Sequence, residues 1–261
     1  MSPRWIFIKS GDDYALKLRA IVPAAGKGTR MNHPELPKAM HTICGKPLLD
    51  VALQHIDFIA PEDTYLVVGY RKEKIIEHCG SRYHYVEQKE QLGTGHAVAV
   101  CTKEFEHYDG DVLIVFGDMP MYHKDSLEAL CRKHAQSGAS CTIMEAVNDD
   151  LPDWGKMVRD ENGRFFGIIE AKDCTPEQAK TTELFSGVMV FRACDLFAVL
   201  PSLSNRNAQS EYYLTEVPKL MMERGMDVQM FMIPDGDDIR GVNTPEDLTV
   251  CEKILKARNE F

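Results

Sequence analysis

The stretch Ile21-Val22-Pro23-Ala24-Ala25-Gly26-Lys27-Gly28-Thr29-Arg30-Met31, with Leu36-Pro37-Lys38 close behind it, decides the reading of this chain. A short apolar run ends in two glycines, and three cations, Lys27, Arg30 and Lys38, arrive within twelve positions. Glycine has no Cβ, so the backbone bends tightly there and brings its N–H groups close to a ligand. Cations beside such a cradle suit a polyphosphate. The stretch is not a P-loop, which needs G-x-x-x-x-G-K-[ST]. Nor is it the dinucleotide fingerprint G-x-G-x-x-G, because Met31 stands where the third glycine belongs.

Outward from that loop, the composition is that of a soluble globular protein. The chain has 261 residues, 44% hydrophobic and 27% charged, room for one large α/β domain or two small ones. A net charge of -10 argues against a nucleic-acid surface, which would be basic. An acidic protein that binds anions must gather its cations locally, as this loop does. Eight cysteines are scattered without C-x-x-C pairs, mostly among apolar neighbours, which predicts buried reduced thiols rather than disulfides or zinc. No run approaches the roughly 18 apolar residues of a membrane span. Trp5-Ile6-Phe7-Ile8 is too short for a signal-peptide core. The expectation is a cytoplasmic protein.

Short β-branched runs alternate with helical spacing. Residues 20–23, 64–68, 83–86 and 111–116 read as strands. Leu48, Ala52, Ile56 and Ile59 recur at helical spacing, as do Leu127, Leu130, Cys131 and His134. Pro47 suits the first turn of its helix. This alternation predicts a mostly parallel sheet with helices on both faces. After about residue 150 the pattern changes. Residues 156–159 and 164–170 flank Asp160-Glu161-Asn162-Gly163, a hairpin signal, and an extended run, 187–191, follows. Residues 150–192 are therefore expected as a small β-rich insertion within a domain of residues 20–261. Helices resume at 193–200, 215–224 and 245–258. Residues 1–19 are an N-terminal extension that could fold as a hairpin around Gly11-Asp12-Asp13.

Beyond the first loop, further blocks follow in order. They are Gln88-Lys89-Glu90-Gln91-Leu92-Gly93-Thr94-Gly95-His96-Ala97, Gly117-Asp118-Met119-Pro120, Gly167-Ile168-Ile169-Glu170-Ala171-Lys172-Asp173, Asn207-Ala208-Gln209-Ser210-Glu211-Tyr212-Tyr213-Leu214-Thr215-Glu216 and Gly241-Val242-Asn243. Together with the first loop they resemble the uridylyltransferase domain of bacterial N-acetylglucosamine-1-phosphate uridylyltransferase, from about residue 20 to the C-terminus. The hexapeptide repeats of that family's acetyltransferase β-helix do not occur in the sequence, so the expectation is the transferase half alone. The resemblance implies a Rossmann-like three-layer α/β/α nucleotidyltransferase fold with a mixed, mostly parallel sheet. It also implies an enzyme that takes a nucleoside triphosphate, UTP for preference, and a sugar 1-phosphate, with no nucleic-acid or membrane partner.

The same resemblance assigns residues. Arg30 and Lys38 are the catalytic cations, which neutralise the triphosphate and the sugar phosphate. Ala24, Ala25, Gly26, Lys27, Gly28, Gln88, Gly93 and Thr94 are expected at the nucleotide, with the Gln88 amide able both to donate to and to accept from a base. Gly155, Glu170, Ser186, Tyr213 and Thr215 are expected at the sugar. A magnesium ion is implied, with Asp118 and Asn243 as its ligands. His33, His41 and His96 are assigned structural or loop roles. The chain also departs from the family. Phe185-Ser186-Gly187 stands where Asn-Thr-Gly is usual, and the segment from Arg30 to Lys38 is one residue longer. Those departures leave other sugars open, such as glucose 1-phosphate, and leave the metal and triphosphate apparatus intact. A glutamine can also serve other bases, such as that of GTP, and a catalytically silent sugar-nucleotide sensor stands as a third reading.

Overall fold

The computed structural model describes residues 6–8 and 14–260. Its centre is a nine-stranded sheet. Four strands, Asp111–Ile114, Leu18–Pro23, Thr64–Val68 and His84–Glu87, lie side by side and parallel. Glu183–Arg192 joins them antiparallel to Asp111–Ile114, and Cys141–Val147 and then Val228–Met232 extend the sheet from it. The hairpin Lys156–Arg159 with Phe165–Ile169 hangs from the start of the long strand through Lys156 opposite Leu184.

Three of the parallel strands, all but His84–Glu87, are buried on both faces, with alternate residues turned to opposite sides. Ala20, Val22, Leu66, Val68 and Leu113 belong to one core cluster, with Leu49, Leu127 and Leu130 from the covering helices. The residues between them, Ile21, Tyr65, Val67, Val112 and Ile114, belong to another, with Val98, Leu196 and Val217. Parallel strands covered by helices read as near-continuous apolar runs for this reason. The result is the expected three-layer arrangement.

Most elements fall where the sequence put them. The Thr64–Val68 strand, the first hairpin strand and the Pro245–Arg258 helix match in full, and Leu127, Leu130, Cys131 and His134 are all buried on the Lys124–Ser137 helix. Pro47 sits one position earlier than expected, capping the Leu48–His55 helix from outside its first turn. Ile6–Ile8 pairs antiparallel with Tyr14–Leu16, and the expected turn at Gly11-Asp12-Asp13 lies outside the described residues. The strands Cys141–Val147 and Val228–Met232 have no counterpart in the sequence reading. The run 187–191 proves to be part of a ten-residue strand in the middle of the main sheet.

All eight cysteines are free thiols, five of them buried. Burial pushes the Cys79 thiol up to about 11 and Cys101 up to about 12, which keeps both protonated and unreactive. Among the described residues, no helix is long and apolar enough to cross a membrane.

Leu113 is fully buried in the strand that neighbours the Gly-rich loop's own strand. Leu113→Ala should lower the free energy of unfolding by about 2–5 kcal/mol, the usual range for a leucine cavity. Urea titration followed by circular dichroism measures it.

Candidate active site

The Leu18–Pro23 strand runs out into the Gly-rich loop at the carboxyl edge of the parallel strands, where open α/β sheets bind ligands. Backbone hydrogen bonds hold the loop open: Ala24 N–H donates to Val67 (2.8 Å), Tyr70 N–H to Ala25 (3.2 Å) and Lys38 N–H to Gly26 (3.3 Å). A Cβ added at Gly26 meets no protein atom within 4 Å, so the space beside it is open to a ligand. Gly28 is different. Its φ is +64°, and a Cβ there would lie 2.9 Å from the Lys38 Cβ, so this glycine lets the lysine stem pack against the loop.

Two cavities open along this edge. Ala24, Ala25, Gly26, Gln88, Gly93 and Thr94 line one of about 230 Å³. Arg30, Gly155, Glu170, Ser186, Thr215 and Asn243 line a second of about 430 Å³. Lys38, Thr94, Phe116 and Asp118 line both, so the cavities share a wall. Three residues assigned from sequence line neither. Lys27 points outward with its ammonium 5.5 Å from the Tyr70 ring, Gly28 supports Lys38 from behind, and Tyr213 is buried with its hydroxyl accepting from Gln209 Nε2 at 3.0 Å.

The shared wall is polar and tightly connected. Lys38 Nζ donates to Asp118 Oδ2 in a short ion pair and to Asn243 Oδ1 at 2.7 Å. Arg30 donates to the same Asn243 oxygen at 3.1 Å. Asn243 is free for this because its neighbour caps the C-terminal helix: the Thr244 side chain accepts from Asp247 N–H, and Asp247 accepts from Thr244 N–H in return. A further backbone bond, Val242 N–H to Asp118 C=O at 3.0 Å, ties the two oxygen-bearing segments together.

The walls of the second cavity are stitched as firmly. Thr215 donates to Glu170 at 2.8 Å, Lys172 to Gln209 at 2.7 Å, and Ala208 N–H to Asp173 at 2.8 Å. Burial raises the Glu170 carboxyl above its ordinary range, and the Thr215 hydrogen bond partly offsets this. Ser186 is fully buried. Its hydroxyl accepts from Val188 N–H at 3.1 Å, and its carbonyl accepts from the Tyr122 hydroxyl at 2.5 Å. Burial, and after it the charge of Asp118, hold the Tyr122 phenol well above its normal value, so it stays a neutral donor.

Several lining residues escaped the sequence reading: Gln91 and Glu211 in the first cavity, Asp153, Trp154, Lys172 and Gln209 in the second. Gln91, Glu211, Lys172 and Gln209 lie within blocks that were singled out, and Asp153 and Trp154 directly precede Gly155, but which of these face the cavity is a property of the folded chain. His96, assigned a structural role, has Nδ1 3.1 Å from the Gln88 side-chain nitrogen.

Comparison with known proteins places the chain among relatives of known family. A family model for the MobA-like NTP transferase domain matches residues 20–210. The chain is 37% identical over 244 residues to the bifunctional protein GlmU of Syntrophomonas wolfei subsp. wolfei, covering 93% of this chain and 54% of that protein. It is 34% identical over 243 residues to the bifunctional protein GlmU of Geobacillus thermodenitrificans, covering 93% and 53%. The chain thus spans about half the length of the curated relatives it matches. The crystal structure of a UDP-glucose pyrophosphorylase complexed with UDP-glucose superposes with a TM-score of 0.73 at 15% identity, covering 92% of this chain and 98% of that one, a likeness of fold.

The raised Glu170 carboxyl gives a pH prediction with a definite sign. The folded protein binds the Glu170 proton more tightly than the unfolded chain does, so stability is lost as pH rises from the unfolded value through the folded one, and the loss is complete above it. Glu170→Gln, which keeps an acceptor for Thr215, should therefore raise the melting temperature at pH 7. The gain should shrink as pH falls through the raised value and vanish below the unfolded one. Melting curves of both proteins from pH 4 to 8 check it.

Proposed function

The chain belongs to the MobA-like NTP transferase domain family, and from that premise we propose that it joins a nucleoside triphosphate to a sugar 1-phosphate. The products are a nucleoside-diphosphate sugar and pyrophosphate, and the substrates are UTP and N-acetylglucosamine 1-phosphate. One observation carries the reading: two cavities share a wall, and that wall holds Lys38 and Asp118. Two anionic substrates that must react need separate compartments whose reacting ends meet beside cations. The nucleotide takes the smaller cavity, against the open Gly26 backbone and Gln88. The sugar takes the larger one, against Glu170 and Thr215. The choice of uridine and N-acetylglucosamine is supported by the ordered sequence blocks and by the two GlmU relatives.

In the reaction, a phosphate oxygen of the sugar 1-phosphate attacks the α-phosphorus of the triphosphate. The new P–O bond forms as the bond to the β-phosphate oxygen breaks, and that oxygen leaves with pyrophosphate. Such transfers depend almost entirely on positioning and on charge neutralisation. Lys38 stands at the shared wall and can reach both phosphates. Arg30, on the second-cavity side, offers a planar fork for two phosphate oxygens. A carboxylate and an amide oxygen, from Asp118 and Asn243, already converge on one cationic atom, Lys38 Nζ. That donor set of hard oxygens fits a magnesium ion, whose remaining ligands would be phosphate and water. When bound, the ion would supply positive charge to the phosphoryl oxygens.

Three outcomes test the proposal. Pyrophosphate release measured across the four nucleoside triphosphates and the 1-phosphates of glucose, glucosamine, galactose and N-acetylglucosamine should be highest for UTP with the N-acetyl sugar. A clear lead for another sugar would overturn that choice, and turnover of no pair would overturn the enzyme reading. Asp118→Ala should nearly abolish turnover while leaving the fold intact, and Asn243→Ala should cost less, because a neutral ligand brings less charge. Arg30→Ala should slow the chemical step by about 10³-fold or more, the scale of arginines at phosphoryl-transfer sites, with Arg30→Lys restoring only part of it. Rapid-quench kinetics separates the chemical step from binding.

A further inference from the structure

Gln88 is 3% exposed yet lines the smaller cavity. A buried amide can present either its oxygen or its NH₂ to a ligand, and the two orientations have the same shape. Its surroundings must choose. Here the side-chain nitrogen donates to the Gly93 carbonyl at 3.2 Å, and a carbonyl can only accept. The flipped amide would set two oxygens against each other, so this contact keeps the nitrogen on that side but leaves the tilt of the amide plane open. That amide nitrogen carries two hydrogens, and the second meets His96 Nδ1 at 3.1 Å. For the contact to be a bond, Nδ1 must be the bare, accepting nitrogen, with the ring proton on Nε2. Both Gln88 N–H groups are then used within the protein, and Oε1 is left as the group for the ligand.

We propose that His96 is a positioning residue for base selection: it locks the Gln88 amide so that an acceptor alone faces the base. The inference rests on the proposed nucleotide site and deepens it. A lone acceptor suits a pyrimidine ring N–H, which uracil has at N3. Cytosine has a bare, accepting N3, and two acceptors facing each other repel. Gly93 alone fixes only one of the two N–H groups. With His96 gone, the amide plane can swing about the remaining Gly93 bond and aim its second N–H into the cavity, and the bias against cytosine weakens. Gly93 is itself held in place: its φ is +110°, and a Cβ there would lie 2.6 Å from the Tyr212 carbonyl oxygen. The position that carries the first anchor thus has no slack, and His96 is the anchor that substitution can remove cleanly.

His96→Phe keeps an aromatic ring and removes the acceptor. His96→Asn keeps an acceptor at the place of Nδ1. Equilibrium binding of UTP and of CTP should be measured by calorimetry for the wild type and both variants, with melting temperatures as a check on folding. The wild type should prefer UTP. His96→Phe should lose about tenfold of that preference, equivalent to about 1.4 kcal/mol, mainly through weaker UTP binding. His96→Asn should retain most of it. In turnover the loss should appear in KM for UTP, with kcat little changed. Equal UTP preference in wild type and in folded His96→Phe overturns the role of His96 while leaving the function standing. A wild type that binds neither nucleotide overturns the function, and this inference with it. A His96→Phe variant that fails to fold leaves His96→Asn to decide, since a loss of preference there despite the retained acceptor counts against the proposal.

Discussion

An ammonium group held between a carboxylate and an amide oxygen organises this protein's edge. Lys38 comes from the loop after one strand, Asp118 from the loop after another, and Asn243 from just before the last helix. Their side chains are partly shielded, with Lys38 16% and Asp118 24% exposed. Ion pairs in such places contribute little net stability, because desolvation offsets the attraction. The arrangement makes better sense as a charge array ready for exchange. Phosphate oxygens entering the shared wall could take over the lysine's hydrogen bonds, and a divalent ion could take over the two oxygens.

The rest of the fold can be read as what this convergence requires. Parallel strands deliver their loops to one edge, which brings Gly26, Gln88 and Asp118 together from distant parts of the sequence. Backbone bonds then fix the loops to each other: Ala24 to Val67, Lys38 to Gly26, and Val242 to Asp118. The segment between Arg30 and Lys38 is tied down as well. Tyr70 donates to the Pro34 carbonyl at 2.5 Å, and Arg71 pairs with Glu35 at 2.9 Å.

The second cavity is built on a different principle. Its walls, near Glu170 and near Thr215, are joined by side-chain bonds rather than by a sheet ladder. Ser186 turns its hydroxyl to the backbone of its own strand, where it accepts from Val188 N–H. Gly187 follows with φ +91° beside the Tyr122 hydroxyl, which fixes the turn of the chain there.

The sequence by itself determined the loop chemistry, the alternation of strands and helices, and the order of the blocks. These are local properties: glycine's missing Cβ, a period of two or of 3.6, a cation's charge. It also supplied Thr64–Val68 and Pro245–Arg258 to the residue, because a run of β-branched side chains and an N-terminal proline each carry their own signal. The strand Cys141–Val147 was not legible, since an apolar run buried between two other strands lacks the alternation that marks a half-exposed one. Only the tertiary structure decided which residues face the cavities. It turned Lys27 outward, set Tyr213 behind the wall, freed Asn243 by giving the cap to Thr244, and brought His96 to the Gln88 amide. Residue type states what a side chain can bond to. Which partner it meets depends on loops that converge only when the sheet is assembled.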